Sequence, residues 1–371
     1  MTKIVHVVGA RPNFVKMAPV VDALSGHRWL RQVIVHTGQH YDEQLSGEML
    51  SNLELPPPDR FLGVGSGRHG EQTARALVAC EGVLLEEQPD MLVVGGDVNS
   101  TLAAALAAAK LGIPVAHVEA GLRSRDWSMP EEVNRVLTDR LSDLLFTHSP
   151  EAETNLLAEG IDAGRIHAVG NTMIDSLRRF EPTARERATW RRWDLSERGF
   201  VLVTLHRPSN VDRGDRLEGI VTALSALAQR VPVLFPVHPR TRARLEAGNQ
   251  LERLQAAGAI CLDPLPYLDF LSLELGALAV VTDSGGVQEE TSALGVRCYT
   301  LRPNTERPVT ISHGTNSLLG DHPAAIADIE LPAYPPTPAA IPLWDGHAGE
   351  RTASVLLGAV AAAEALEQTG T

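Results

Sequence analysis

The sequence predicts an α/β protein built from two consecutive doubly wound, Rossmann-like domains. Strand-length apolar runs alternate with helical patterns along the whole chain. The runs are near-continuous in Val, Ile and Leu, as parallel strands buried on both faces require. The 371 residues are too many for one ordinary domain and comfortable for two.

In chain order, the first series of expected strands is Ile4–Val8, Gln32–His36, Met91–Val94, Val115–Val118, Leu144–Thr147 and Ile166–Val169. The second is Phe200–Leu205, Pro232–Val237, Ala259–Leu262, Leu278–Thr282 and Cys298–Leu301. The longest apolar stretch, Thr101–Ala109, stops at Lys110, is too short to span a bilayer, and reads as a buried helix. Arg/Glu/Trp-rich sequence between Asn171 and Gly199 marks the boundary. A Pro-rich stretch, Leu331–Pro342, leads to an Ala-rich closing helix that is expected to pack back on the first domain. The expected domains are therefore 1–172, joined by the helix within 349–371, and 173–348.

Composition narrows the function. Hydrophobic content of 44% and charged content of 21% belong to a globular chain able to build proper cores. A net charge of −13 argues against nucleic acid as a partner, because a duplex binder needs a basic face. Lysine occurs only at Lys3, Lys16 and Lys110, so a lysine in a conspicuous loop is informative. Cys80, Cys261 and Cys298 have no ligand-like spacing and are expected to be reduced core residues. The chain opens directly into a strand without a charged leader and apolar core, so a cytoplasmic location without membrane association is expected.

The chemistry lies in the loops after the strands, because open parallel sheets bind ligands outside the carboxyl ends of their strands. Here those ends read Gly9-Ala10-Arg11-Pro12-Asn13, Thr37-Gly38-Gln39-His40, Gly95-Gly96-Asp97 and Glu119-Ala120-Gly121-Leu122-Arg123. The second series gives Leu205-His206-Arg207-Pro208, His238-Pro239-Arg240 and Thr282-Asp283-Ser284-Gly285-Gly286. Such loops commonly supply only caps and turns. Charged residues at so many successive strand ends favour a site instead, with the two rims lining an interdomain cleft.

Asp283-Ser284-Gly285-Gly286 is the most telling segment. A strand ends, a small-residue turn comes next, and a helix begins with two glycines, offering backbone N–H groups and a helix dipole to a phosphate. Glu290, further along, is placed to accept hydrogen bonds from ribose hydroxyls. Arg11, Lys16 and Arg307 add cations for a diphosphate. A decoy accompanies them: Gly65-Ser66-Gly67-Arg68-His69-Gly70 matches the dinucleotide pattern but comes after a Pro-rich stretch rather than a useful strand, so NAD is not expected. No Walker lysine motif, Asp-x-Asp pair or His-x-x-x-His is present, so neither a metal nor another cofactor is expected. His6, His36, His117 and His148 lie on strands and read as satisfied core residues.

Taken together, these motifs resemble the non-hydrolysing UDP-N-acetylglucosamine 2-epimerases, which have the glycosyltransferase-B architecture. The resemblance covers nearly the whole chain. It rests on Gly9-Ala10-Arg11-Pro12 with Lys16, Thr37-Gly38-Gln39-His40, Gly96-Asp97, His117-Val118-Glu119-Ala120-Gly121-Leu122-Arg123 and Pro130-Glu131-Glu132-Val133-Asn134-Arg135. It continues through His206-Arg207, Asp283-Ser284-Gly285-Gly286 with Glu290, and Glu306-Arg307-Pro308. The resemblance implies UDP contacts from Arg11, Lys16, Phe270, Ser284, Gly285, Gly286, Glu290 and Arg307, and acid–base roles for Asp97, Glu119, Glu131 and His206. It also implies a homodimer and an activating second UDP-sugar near Gln39, Arg75, Arg207 and His238. The chain departs from the family at Leu265, where a glutamine is common, at Glu43, where a methionine is usual, and in a shortened stretch between Glu119 and Glu131. These departures keep a modified UDP-sugar open as the substrate. A hydrolysing epimerase and a glycosyltransferase of the same architecture also remain open.

Overall fold

The computed structural model describes residues 1–39, 56–334, 336–337 and 340–369, without the side chains of Arg11, Pro12, 364 and 366–369. The motif residue His40, the family departure at Glu43 and the side chain of the expected site residue Arg11 lie outside that description. The chain divides into two compact units, Met1–Ser176 with Pro342–Thr371, and Leu177–Ile341.

The first unit carries a seven-stranded sheet in the order β3-β2-β1-β4-β5-β6-β7. Its strands are β1 (Thr2–Val8), β2 (Leu30–His36), β3 (Arg60–Phe61), β4 (Met91–Gly95), β5 (Val115–Ala120), β6 (Leu144–Thr147) and β7 (Ile166–Ala168). Every pairing is parallel. The stretch read as a buried helix is Asn99–Lys110, and its small Ala104, Ala105, Ala107 and Ala108 pack against Val5, Val7, Leu92 and Val94. Alanine there lets the helix backbone approach the sheet closely at no side-chain entropy cost. The closing helix, Ala348–Thr369, packs on helix Arg11–Leu24 of the same unit. Ahead of it, Trp344 donates its indole N–H to the His148 carbonyl at 2.8 Å.

The second unit carries a six-stranded sheet in the order β10-β9-β8-β11-β12-β13. Its strands are β8 (Val201–Thr204), β9 (Val233–Pro236), β10 (Ile260–Leu262), β11 (Ala279–Thr282), β12 (Arg297–Thr300) and β13 (Asn316–Leu318), again all parallel. Successive residues serve opposite faces. Val201, Val203 and Val281 join a core with Leu217, Val221 and Leu224, whereas Leu202 and Val280 join one with Trp190, Leu273 and Val296. Burial on both faces is why these strands read as continuous apolar runs rather than alternating ones.

Both sheets have the doubly wound order, in which the chain starts at the centre, runs to one edge, and returns to build the other side. The reversal falls between β1 and β4 in the first unit and between β8 and β11 in the second. At such a switch point the two neighbouring loops diverge and open a crevice. Among the described residues no helix is long and apolar enough to cross a membrane.

Candidate active site

The first crevice is built from the ends of β1, β4 and β5. Lys16 lies on helix Arg11–Leu24, and its Nζ sits 2.6 Å from Glu119 Oε2, with side chains only 7% and 4% exposed. Glu119 reaches it through an irregular backbone. Val118 pairs with Phe146 and Ala120 with Thr147, so Glu119 is bulged out of the β5–β6 register, at φ 70°. That left-handed conformation costs a side-chain-bearing residue roughly 1–2 kcal/mol. Such strain is retained where it aims a functional group. Gly96 leaves room alongside: at φ 67°, a Cβ there would lie 3.3 Å from Lys16 Nζ.

Asp97 comes directly after Gly96, and its Oδ2 pairs with Arg135 Nη2 at 2.5 Å. Arg135 is buried and also holds Glu132 Oε2 at 2.5 Å. Glu132 in turn accepts the N–H of Ser124 at 2.9 Å and of Arg125 at 2.7 Å, closing the loop after β5. Asp139, one turn beyond Arg135, binds His117 Nδ1 at 2.7 Å, Arg123 Nη1 at 2.7 Å and the Gly121 N–H at 3.1 Å. His117 Nε2 lies 2.8 Å from the Gly96 carbonyl. The helix Pro130–Leu141 therefore fixes the loops that carry Asp97 and Glu119. Glu131, in its first turn, is half-buried.

The second crevice centres on Asp283, which is fully buried. Its carboxylate accepts the N–H of His206 at 3.1 Å, the N–H of Arg207 at 2.9 Å and the Asn210 amide at 2.9 Å. His206 Nδ1 stands 3.2 Å from the same carboxylate. A carboxylate only accepts, so a proton on Nδ1 is the one this neighbour favours. The ring itself is partly exposed. The His238 ring lies nearby at a tilt, with centroids 5.6 Å apart.

Ser284 begins the helix Gly285–Leu294 without a side-chain cap, leaving its first N–H groups for another acceptor. Arg307 lies against this terminus, where a Cβ on Gly285 would come 2.5 Å from its Nη1. Arg307 Nε pairs with Glu289 at 2.9 Å and its Nη1 with Glu306. Glu306 also pairs with Arg302 at 2.6 Å and lies 3.7 Å from Arg207. Three guanidiniums thus interleave with two carboxylates behind the helix start. Glu290 accepts the Tyr267 hydroxyl at 3.1 Å. Phe270, on the same helix as Tyr267, packs half-buried against the core.

Of the residues expected near a second ligand, Gln39 accepts from the Ser100 N–H at 3.0 Å. Arg75 pins the glycine-rich decoy loop through the carbonyls of Val64 and Ser66, at 3.0 Å each. Arg207 and His238 lie beside His206. Among the described residues no three of His, Cys, Asp or Glu converge as a metal-ligand set.

A family model described as UDP-N-acetylglucosamine 2-epimerase matches residues 22–357. The chain belongs to this family. It is 43% identical to the UDP-N-acetylglucosamine 2-epimerase of Methanocaldococcus jannaschii over 95% of its own length and 98% of that protein's. It is 44% identical to the UDP-2,3-diacetamido-2,3-dideoxy-D-glucuronate 2-epimerase of Pseudomonas aeruginosa, over 86% and 88% of the two chains. The M. jannaschii enzyme solved in complex with UDP-GlcNAc and UDP superposes with a TM-score of 0.89 at 41% identity, covering 96% of this chain and 100% of that one. The chain is thus an epimerase with the two-unit α/β fold of its family.

Sequence reasoning singled out the residues at strand ends and missed those that hold them. Asp139 and Tyr267 are such residues, and Arg135 entered only as part of a family motif, without its role. For Arg135 and Asp139 the signal was helical spacing: Glu132, Arg135 and Asp139 share one face of a helix at i, i+3 and i+7.

Proposed function

We propose that this epimerase inverts carbon 2 of UDP-N-acetylglucosamine, giving UDP-N-acetylmannosamine, by eliminating UDP and adding it back. One observation carries the reading: Asp283 orients His206 beside an uncapped, arginine-backed helix terminus. That is a proton-exchanging group next to a phosphate cradle, as departure of a nucleoside diphosphate requires.

The chemistry makes departure necessary. Carbon 2 of a hexosamine has no neighbouring carbonyl, and a general base contributes only about 10²–10⁴-fold. Enzymes commonly need roughly 10⁶-fold or more. As the C1–O bond breaks, its electron pair goes to the diphosphate and positive charge at C1 acidifies the C2–H. A carboxylate removes that proton and its electron pair forms the C1–C2 double bond of a 2-acetamidoglucal. Re-addition of UDP, with a proton delivered to the opposite face of C2, gives the epimer. We assign the diphosphate to Lys16, Arg11, Arg307 and the Ser284-Gly285-Gly286 terminus, the ribose to Glu290 and the base side to Phe270. Each charge-stabilising donor is worth on the order of 10²–10³ in rate. Asp97, Glu119 and Glu131 are assigned to the two faces of the sugar, with Asp97 as the C2 base.

The test is incubation with UDP-GlcNAc in D₂O, monitored by NMR. Deuterium at C2 in both UDP-GlcNAc and UDP-ManNAc is expected; free sugar without labelled UDP-sugar contradicts the reading. The similar identity to the Pseudomonas enzyme favours one second reading, a 2,3-diacetamido uronic acid substrate. A comparison of kcat/KM for the two UDP-sugars decides between them. We further propose a homodimer, supported by exposed Val78 and Leu85, seven residues apart on helix His69–Glu87. Light scattering should then give twice the 39.9 kDa chain mass.

A further inference from the structure

Glu274 lies on helix Tyr267–Gly276, and its exposure is 0%. Its chain neighbours Leu273 and Leu275 are buried too. No donor among the described residues hydrogen-bonds either of its carboxyl oxygens. The group that faces it is another carboxyl, Glu290 on helix Gly285–Leu294. From its own helix, Tyr267 donates to Glu290 Oε1 at 3.1 Å. From β12, the Cys298 thiol faces Glu274 and is pushed up to about 12 by burial, so it is neutral, and Arg297 acts on that thiol from the same strand.

Two carboxyls that face each other in a buried site cannot both be ionised, and one retains a proton. Burial first, and the Glu290 charge second, push Glu274 well above the usual carboxylate range. Glu274 is therefore the protonated member. Its O–H has an acceptor in the Glu290 carboxylate that faces it, which answers the lack of any other partner at Glu274.

We propose that Glu274 is a positioning residue for the nucleotide: a neutral carboxylic acid that donates to Glu290 and holds that carboxylate where it accepts from the ribose hydroxyls. The inference rests on the reading of Glu290 as the ribose acceptor. It explains why an acid occupies the interior of an otherwise apolar helix segment. It also gives Glu290 two donors from one helix, Tyr267 and Glu274, fixing the carboxylate before the ligand arrives.

The experiment is calorimetric titration of the full-length protein with UDP and with 2′,3′-dideoxy-UDP. Wild-type protein is expected to bind UDP more tightly than the dideoxy analogue. Glu274→Gln keeps a neutral donor and should bind UDP within about threefold of wild type, whereas Glu274→Leu should weaken UDP about tenfold, the effect of losing one hydrogen bond to a charged group. The same Leu variant should leave dideoxy-UDP within about twofold, because the missing hydroxyls are what Glu290 would hold. Equal weakening of both ligands, or of neither, overturns the proposal for Glu274 alone. Wild-type protein that does not distinguish the two ligands overturns the ribose role of Glu290 as well. Should Glu274→Leu not fold, the pH profile of Glu274→Gln decides. Wild-type affinity for UDP should fall as pH rises beyond the usual carboxylate range and the shared proton leaves. Glu274→Gln should lack that fall, and superimposable profiles overturn the proposal.

Discussion

Replacing Lys16 by Met keeps most of the side-chain volume and removes the ammonium that faces Glu119. The structure sets the magnitude. The pair is 2.6 Å apart and nearly closed to solvent, at 7% and 4% exposure. Removing one partner of a buried pair leaves the other charge uncompensated and costs about 3–5 kcal/mol. A unit of this size loses roughly 2–4 °C of melting temperature per kcal/mol, so a fall of roughly 6–20 °C is expected in the transition of the first unit. Glu119→Gln should also destabilise, because it strands the lysine. The double variant Lys16→Met with Glu119→Gln should lose less than the sum, with a coupling energy of about 2–3 kcal/mol. Differential scanning calorimetry on the four proteins measures this cycle. Additive effects within about 0.5 kcal/mol would show that the two side chains do not act as a pair, and the account of the Glu119 bulge would fail with it.

Single contacts set the other expectations. Gly285→Ala places a methyl 2.5 Å from Arg307 Nη1 and 2.8 Å from Glu306 Oε1. Both side chains are buried and ion-paired, so they cannot swing aside, and the displaced helix start should weaken UDP binding by about tenfold or more in calorimetric titration. Asp175, whose Oδ2 accepts the Gly349 N–H at 2.6 Å, is raised from 3.8 to about 6 by burial. The folded state then holds this proton more tightly than the unfolded one. Stability from this group is greatest below about pH 4, declines as pH rises through 6, and stays reduced above, by about 3 kcal/mol. Asp175→Asn should therefore gain on wild type by that amount between pH 4 and 7.5 in urea unfolding, and a pH-independent difference refutes the assignment. Asp97→Asn should bind UDP within about threefold of wild type yet lose C2 exchange by about 10² or more; a collapse of UDP affinity would make Asp97 structural.

Sequence alone reached the strands well because burial on both faces writes itself as unbroken Val/Ile/Leu runs. It failed at β3 and β13, where Arg60-Phe61 and Asn316-Ser317-Leu318 are too short and too polar to form a run. Strand-end residues such as Asp97, His206 and Ser284 were legible because charged or small side chains interrupt apolar patterns there. The Glu119 bulge was not, since a one-residue slip in pairing leaves no trace in residue type. Nor was the partnership of Glu274 with Glu290, which depends on two helices meeting 16 residues apart in the chain. Ion pairs such as Asp97 with Arg135 bridge 38 residues, a distance no local pattern encodes.

The central claim is that opening the sugar–diphosphate bond makes C2–H labile. Substrate carrying ¹⁸O in the bond between C1 and the β-phosphate tests it directly. Partial turnover should move the label into the non-bridging positions of the β-phosphate in recovered UDP-sugar, in step with inversion at C2. Inversion with the label still wholly in the bridge would contradict the account.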